Sequence, residues 1–263
     1  MVNRLDTELV KRGLVRSRTK AQELIKGGYV LCNNKVNNKN SSEVKDTDEI
    51  TIKKNNKLKY VSRGGLKLEK ALTEFDIDFH NKRIMDIGSS TGGFTDCAIQ
   101  YGAKEVIAID VGTDVMEKNL RENIKVKLYE NTNIKELALA FFKDVDYIVI
   151  DVSFISIIKV FERIKESNVK IDVICLIKPQ FECGKQIAKK YKGVILNREI
   201  HKQLILKVVE EINNLGFFVK NIVFSPIKGG NGNIEYLAYV TNKISHNEDF
   251  NVDSVIRRAF NSL

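Results

Sequence analysis

Apolar residues recur along this chain with two different periodicities, and the change from one to the other divides it. In the first sixty residues the runs are short. Leu5, Leu9 and Val10 repeat at helical spacing until Gly13, which predicts a helix over residues 4–12. Ser17 caps a second helix over residues 18–26, with Ala21, Leu24 and Ile25 on one face. Gly27-Gly28 end it, Tyr29–Cys32 reads as a strand turned by Asn33-Asn34 toward Lys35-Val36, and Asp48–Ile52 reads as a later strand. A module this small buries only a thin core, so it is expected to bind rather than to catalyse.

Beyond the polar run Lys53–Lys57, read as a turn or the start of a linker, the pattern becomes regular alternation. A helix over residues 66–75 buries Leu68, Ala71 and Leu72. Buried strands follow at residues 83–87, 105–110, 126–129, 147–150 and 173–177, then two more at 217–224 and 236–241. Helices fall at 94–101, 155–164, 199–215 and 253–260. This order predicts an α/β fold with a doubly wound, mostly parallel seven-stranded sheet. Residues 184–198, polar and carrying Gly184 and Gly193, read as an irregular mobile loop over the site. The expected division is a small α+β domain over residues 1–59, a linker at 60–65 and a large domain over 66–263.

The most informative stretch runs from Arg83 to Asp96. Ile84, Met85 and Ile87 form an apolar strand that breaks into Gly88-Ser89-Ser90-Thr91-Gly92-Gly93-Phe94. Glycines there let backbone approach a ligand closely, and the N–H groups of the next helix point beyond the strand end. Asp86 precedes the first glycine. A carboxylate in that place repels a pyrophosphate and suits a ligand with a cationic amino group, such as S-adenosylmethionine. Asp110 ends the next strand, a position from which such folds bond ribose hydroxyls, and Glu130 ends the one after it.

Strand ends of an open parallel sheet share one crevice, so residues distant in sequence converge there. Asp151 follows one strand, Lys178 follows another, Glu235 precedes the last, and Lys67 begins the helix before the first. Singly, each would be a surface ion pair. Their coincidence at strand ends, with both prolines of the chain, Pro179 and Pro226, in the same loops, marks them as candidate catalytic groups. Two amines and two carboxylates suit methyl transfer to a hydroxyl, where a lysine takes the proton only if it is brought toward neutrality. The run Asp151-Val152-Ser153-Phe154 lacks the paired prolines typical of amine-methylating enzymes of this fold.

Charge changes the picture of the front module. The first 60 residues hold 14 lysines and arginines against 7 acidic residues, whereas the other 203 hold 29 against 27. A basic segment ahead of a near-neutral body suits a polyanion such as nucleic acid. Cys32, Cys97, Cys175 and Cys183 show neither disulfide nor metal-ligand spacing, and His80, His201 and His246 have no ligand partners at suitable spacing. No signal peptide and no run of roughly 20 apolar residues is present. A cytoplasmic protein with no metal and no membrane association is therefore expected.

Two resemblances sharpen these expectations. Arg4-Leu5-Asp6, Gly13-Leu14-Val15, Ser17-Arg18-Thr19-Lys20-Ala21 and Gly28-Tyr29-Val30 resemble the small RNA-binding domain named after a small-subunit ribosomal protein. That likeness implies an RNA-facing surface of Arg4, Arg16, Ser17, Arg18 and Lys20. The run from Asp86 to Asp96, with Asp110-Val111-Gly112, Asp151–Ser156, Lys178–Glu182, Ser225-Pro226-Ile227 and Gly232–Glu235, resembles the TlyA family, whose catalytic domain is similar to that of the FtsJ ribose methyltransferases. The resemblance implies a Rossmann-like class I methyltransferase that uses S-adenosyl-L-methionine to methylate the 2′-oxygen of cytidine in ribosomal RNA of the small or large subunit. It carries a Lys-Asp-Lys-Glu tetrad onto Lys67, Asp151, Lys178 and Glu235, and a donor site onto Asp86, Gly88, Ser89, Ser90, Thr91, Gly92, Gly93, Phe94, Asp110, Val111, Glu130 and Asp151. Ser89-Ser90 stands where relatives often have an alanine. The family also bears a haemolysin label, so a cytolytic protein is the rival reading from another class, and an RNA-binding protein with an inactive methyltransferase fold is a third.

Overall fold

The computed structural model describes residues 2–15, 17–52 and 59–263, and the chain forms two compact units, Met1–Ser62 and Arg63–Leu263. Arg16, expected on the RNA-facing surface, and the expected turn at Lys53–Lys57 lie outside the described residues.

In the first unit, β1 (Val2–Arg4) leads directly into α1 (Leu5–Lys11), followed by α2 (Arg18–Lys26), β2 (Val30–Cys32), β3 (Lys35–Val36), β4 (Glu43–Lys45) and β5 (Ile50–Ile52). Strands β3, β2 and β5 form one antiparallel sheet, and β1 pairs with β4 in another. Pattern reading misses β1 and β4 because three residues are too few to display a period of two. The core is small: Leu5, Leu9, Ala21, Leu24, Ile25, Val30, Val44 and Ile50.

The second unit opens with α3 (Gly64–Glu74), β6 (Arg83–Ile87), α4 (Gly93–Gln100), β7 (Glu105–Ile109), the single turn α5 (Lys118–Arg121) and β8 (Val126–Tyr129). It continues with β9 (Tyr147–Ile150), α6 (Ile158–Glu166), β10 (Asp172–Ile177), α7 (Pro179–Glu182), α8 (Gly184–Lys190), α9 (Arg198–Asn214), β11 (Phe218–Phe224), β12 (Tyr236–Thr241) and α10 (Val252–Ser262). The seven strands run in the order β11-β12-β10-β9-β6-β7-β8, parallel except at β12, which is antiparallel to both neighbours. The chain leaves β6 through β7 to β8, then returns to β9 on the other side of β6. Ligands of doubly wound sheets bind where the strand order reverses in this way.

Two expectations are corrected by the structure. Residues 184–198 are not irregular: α8 occupies their first half. Ile187, Ala188 and Tyr191 pack on Cys183, Ile195 and Leu204 in a satellite core, an apolar set that the intervening lysines hide in the sequence. The helix expected from Ile155 begins at Ile158: the Ile158 amide donates to Ser156 Oγ and the Ile157 amide to Glu182 Oε1, side-chain bonds that serve the helix start in place of a further turn. Among the described residues, no helix is long and apolar enough to cross a membrane.

Candidate active site

Strand register assembles the site. Ile177 pairs with Tyr236 in the antiparallel ladder, so Lys178 at the exit of β10 stands beside Glu235 at the entry of β12. Ile150 pairs with both Ile87 and Cys175, which sets Gly88 and Asp151 at neighbouring strand ends. Helix α3 lies against β12 and places Lys67 on its buried face with Leu68, Ala71 and Leu72.

The four expected tetrad residues meet in a continuous chain of charges. Lys67 Nζ donates to Glu235 Oε2 at 2.7 Å and lies 3.6 Å from Asp151 Oδ2. Lys178 Nζ lies 2.6 Å from Asp151 Oδ1, an ion-pair contact, and donates its hydrogen bond to Ser153 Oγ at 3.0 Å. All four are largely withdrawn from solvent; Asp151, with 18% of its side chain exposed, is the most open. Burial alone would pull the Lys67 ammonium down, but Asp151 and Glu235 outweigh it and hold Lys67 above the ordinary lysine range. Burial would likewise raise Asp151, yet Lys67 and Lys178 prevail and keep its carboxyl below the usual range. Lys67 is therefore a fixed ammonium between two carboxylates, whereas Lys178 faces one carboxylate, a hydroxyl and the ring of Phe181 at 5.6 Å.

Three further residues surround the four charges, and one of them, Gly229, lies in the glycine-rich connection over residues 225–235 that the sequence marks as ligand-facing. Gln180 Nε2 donates to Glu235 Oε1 at 2.9 Å, so both oxygens of that carboxylate are bound. Gly229 approaches Glu235 so closely that a Cβ there would collide with the carboxylate. Phe154, 88% exposed, sets its ring 5.2 Å from that of Phe181. Ser153, Phe154, Gln180 and Phe181 all fall inside the runs that flank Asp151 and Lys178, and adjacency to those residues is the only signal the sequence offers for them.

Beside this chain of charges lies the glycine loop. Asp86 is wholly buried; Thr95 Oγ1 donates to its Oδ2 at 2.6 Å, and its Oδ1 has no hydrogen-bond partner among the described residues. Burial, reinforced by the nearby Asp151 and Asp110 carboxylates, pushes Asp86 up to about 7. Ser89 Oγ is also buried, with no hydrogen-bond partner among the described residues. Gly92, with φ +93°, caps α4, which opens with Gly93 and Phe94. Asp110 braces the loop by accepting from the Ser90 and Gly112 amides at 2.8 and 2.7 Å, and Val111 beside it is 69% exposed. Thr91 lies in the same loop, with its carbonyl accepting from the Glu117 amide. Glu130, expected among the donor-site residues, has both oxygens engaged by Arg121 at 2.7 and 2.8 Å. The orphaned carboxylate oxygen of Asp86 suits a cationic amino group, whereas the N-terminus of α4, which has no side-chain cap, suits a carboxylate, so together they suit the two charged ends of an amino acid.

In the first unit, Arg4 and Arg18 both bond the fully buried Asp6 carboxylate, Arg4 at 3.0 and 3.1 Å and Arg18 at 3.1 Å, and about half of each arginine side chain remains exposed. Gln22 donates to Asp6 at 2.9 Å. Ser17 is taken up in capping α2, its Oγ accepting from the Lys20 amide, and Lys20 Nζ donates to the Val61 carbonyl.

Comparison with known proteins places these observations in a lineage. The FtsJ-like methyltransferase family matches residues 60–241 and the S4 domain family residues 3–50. Hemolysin A of Brachyspira hyodysenteriae is 43% identical over 239 residues, covering 90% of this chain and 98% of its own. The 16S/23S rRNA (cytidine-2′-O)-methyltransferase TlyA of Mycobacterium tuberculosis is 37% identical over 240 residues, covering 90% of this chain and 89% of its own. A solved structure from Streptococcus thermophilus, provisionally named a hemolysin, is 36% identical with a TM-score of 0.79, covering 99% of this chain and 96% of that one.

Proposed function

The chain belongs to the TlyA family of FtsJ-like methyltransferases, with an S4 domain ahead of the catalytic domain, and on that premise we propose that it methylates the ribose 2′-oxygen of a cytidine in ribosomal RNA with S-adenosyl-L-methionine as donor. One observation carries the reading: Lys67, Asp151, Lys178 and Glu235 form an unbroken line of charges where the sheet order reverses, next to a glycine loop suited to the donor.

Asp86, Ser89 and the turn from Gly88 to Phe94 are the groups that would hold the amino-acid end of the donor, with Asp110 and Val111 toward its nucleoside. When bound, the donor supplies a methyl group on a positively charged sulfur, which departs as a neutral thioether when the C–S bond breaks. The step balances with Lys178 as the neutral amine, its own proton already released to solvent: Nζ then takes the proton of the attacking 2′-hydroxyl as the new O–C bond forms. Lys178 is assigned this role because it meets a single carboxylate, whereas Lys67 is locked as an ammonium. Asp151 holds the Lys178 amine in line, and Lys67 with Glu235 holds Asp151. Gln180 supports Glu235 from the other side. Precise alignment of oxygen, carbon and sulfur can remove roughly 7 to 11 kcal/mol of barrier, and a rigid, buried frame of paired charges supplies such alignment.

The test is transfer of radiolabelled methyl groups from S-adenosylmethionine to ribosomal subunits taken from a strain lacking the protein. Labelled cytidine 2′-O-methyl is the expected product, and Lys178→Ala is expected to abolish it while preserving the fold and donor affinity. Transfer unchanged in that variant removes the proton-accepting assignment.

A further inference from the structure

The segment that sequence reading takes for a mobile loop is a short basic helix with both ends fastened to the site. Its entry follows α7, which starts one residue after Lys178. Its exit is bonded to Asn233, two residues before Glu235: Asn233 Nδ2 donates to the Gly193 carbonyl at 2.7 Å, and its Oδ1 accepts from the Ile195 amide at 2.9 Å. His201, fully buried, bonds the Ile195 carbonyl at 2.9 Å through Nε2 and the Tyr236 hydroxyl at 2.7 Å through Nδ1. Ile187, Ala188 and Tyr191 complete the attachment from the inner face. These contacts hold the segment beside the strand ends that carry Lys178 and Glu235.

The outer face is all of one sign. Lys185, Lys189 and Lys190 on α8 and Lys192 in the turn after it are exposed. No acidic residue occurs between Cys183 and Arg198, and no ion pair joins these four lysines to a described residue. Elsewhere in this unit many surface lysines are neutralised: Lys118 by Glu122, Lys127 by Glu105, Lys159 by Glu162, Lys202 by Asp253, Lys243 by Asp172. Leaving four like charges uncompensated on a segment bonded rigidly to the active site is unfavourable for the isolated protein. They suit a partner that brings the opposite charge.

We propose that α8 and the turn after it form a phosphate-binding rail for RNA, gripping the backbone beside the target ribose independently of sequence. The proposal deepens the function proposed above and rests on it. Ribose methylation needs the sugar to reach Lys178, and the ring of Phe181 near that amine stacks with the exposed ring of Phe154. Backbone contacts beside these residues fix the strand while leaving the bases unread. Lysines suit this task because each acts as a point charge with freely turning donors, tolerant of variation in RNA path.

The test compares two charge-reduced enzymes on ribosomal subunits. The first carries Lys185→Gln, Lys189→Gln, Lys190→Gln and Lys192→Gln; the second carries Lys104→Gln, Lys125→Gln and Lys127→Gln at the far edge of the sheet. For the first, the Michaelis constant for RNA is expected to rise about tenfold at moderate salt, and the plot of log affinity against log salt to flatten by about 2 to 3 units. Its rate at saturating RNA and donor affinity should match wild type, and its melting temperature should equal or exceed that of wild type. The second should bind RNA nearly as wild type does. An unchanged salt slope in the first variant, or equal losses in both, overturns the rail. If wild-type enzyme labels no ribosomal RNA, the functional reading fails instead, and the two failures are thereby distinguished.

Discussion

Gly88 and Asp151 touch across the strand ends: a Cβ on Gly88 would stand 2.8 Å from the Asp151 carbonyl oxygen and 3.2 Å from the next Cα. The first residue of the glycine loop therefore sets the position of a charged residue 63 places further along the chain. Gly88 also has φ +85°, so any side chain there is strained as well as crowded. Gly88→Ala is expected to push the end of β9 outward and to lower turnover on RNA by about 100-fold, the scale expected for misplacement of about 1 Å. Steady-state kinetics with a thermal melt checks this. A loss confined to the Michaelis constant for RNA would contradict the coupling.

Removing Lys67 should cost stability as well as activity. Glu235 and Lys67 are almost fully withdrawn from water, and Lys67→Met leaves a buried carboxylate facing an apolar group. That is expected to destabilise the protein by about 3 kcal/mol. Adding Glu235→Gln removes the stranded charge and should restore part of the stability while leaving methyl transfer abolished. Chemical denaturation of wild type, both single variants and the double variant measures the coupling. Additive losses would show that the pair does not act as a unit.

How far the sequence discloses this site depends on which residues topology alone brings together. Lys178 and Glu235 are legible because any β-strand exit and any antiparallel neighbour's entry share an edge of the sheet. Asp86, Gly88 and Asp110 are legible because carboxylates and glycines at parallel strand ends have few structural reasons to be there. The engagement of Glu130 by Arg121 is not legible, since it depends on where a single helical turn, α5, presents its guanidinium. Nor is α8, whose two inward apolar residues, Ile187 and Ala188, with Tyr191 just past its end, are outweighed in any average by its lysines. The attachment by Asn233 and His201 is set by side-chain geometry that no periodicity encodes.

The raised pKa of Asp86 predicts how donor affinity varies with pH. With the value pushed to about 7 by burial and the neighbouring carboxylates, Asp86 is protonated below that pH in the free protein and ionised above it. Only the ionised form attracts a cationic amino group. Affinity for S-adenosylmethionine should therefore weaken as pH falls below 7, by up to tenfold per unit, and level off above it. In the free protein the same group contributes the opposite trend: the folded state holds its proton longer than the unfolded state does, so its contribution to stability declines as pH rises from about 4 to 7. Calorimetric titrations across this range check the first trend. Asp86→Asn should abolish the pH dependence along with the tight binding, and a retained dependence would place the titrating group elsewhere.

In the first unit a negative charge is expected to strengthen the hold on a polyanion. Asp6 is buried and receives Arg4, Arg18 and Gln22, and the arginines keep its carboxyl far below the ordinary range. Its stabilising contribution is complete above the usual carboxylate range and is lost only in strong acid, so it is fully present at neutral pH. If net charge alone governed RNA affinity, Asp6→Asn would make the unit more basic and bind RNA more tightly. The structure argues the reverse. Two half-exposed guanidinium groups are tethered to one fixed carboxylate, and releasing them frees rotamers that would have to be ordered again on binding. Asp6→Asn is therefore expected to weaken RNA binding and to flatten its salt dependence by about one unit for each arginine lost from the interface. Filter-binding titrations on ribosomal RNA at several salt concentrations decide between the two signs, and tighter binding by the variant would show that Asp6 serves the fold alone.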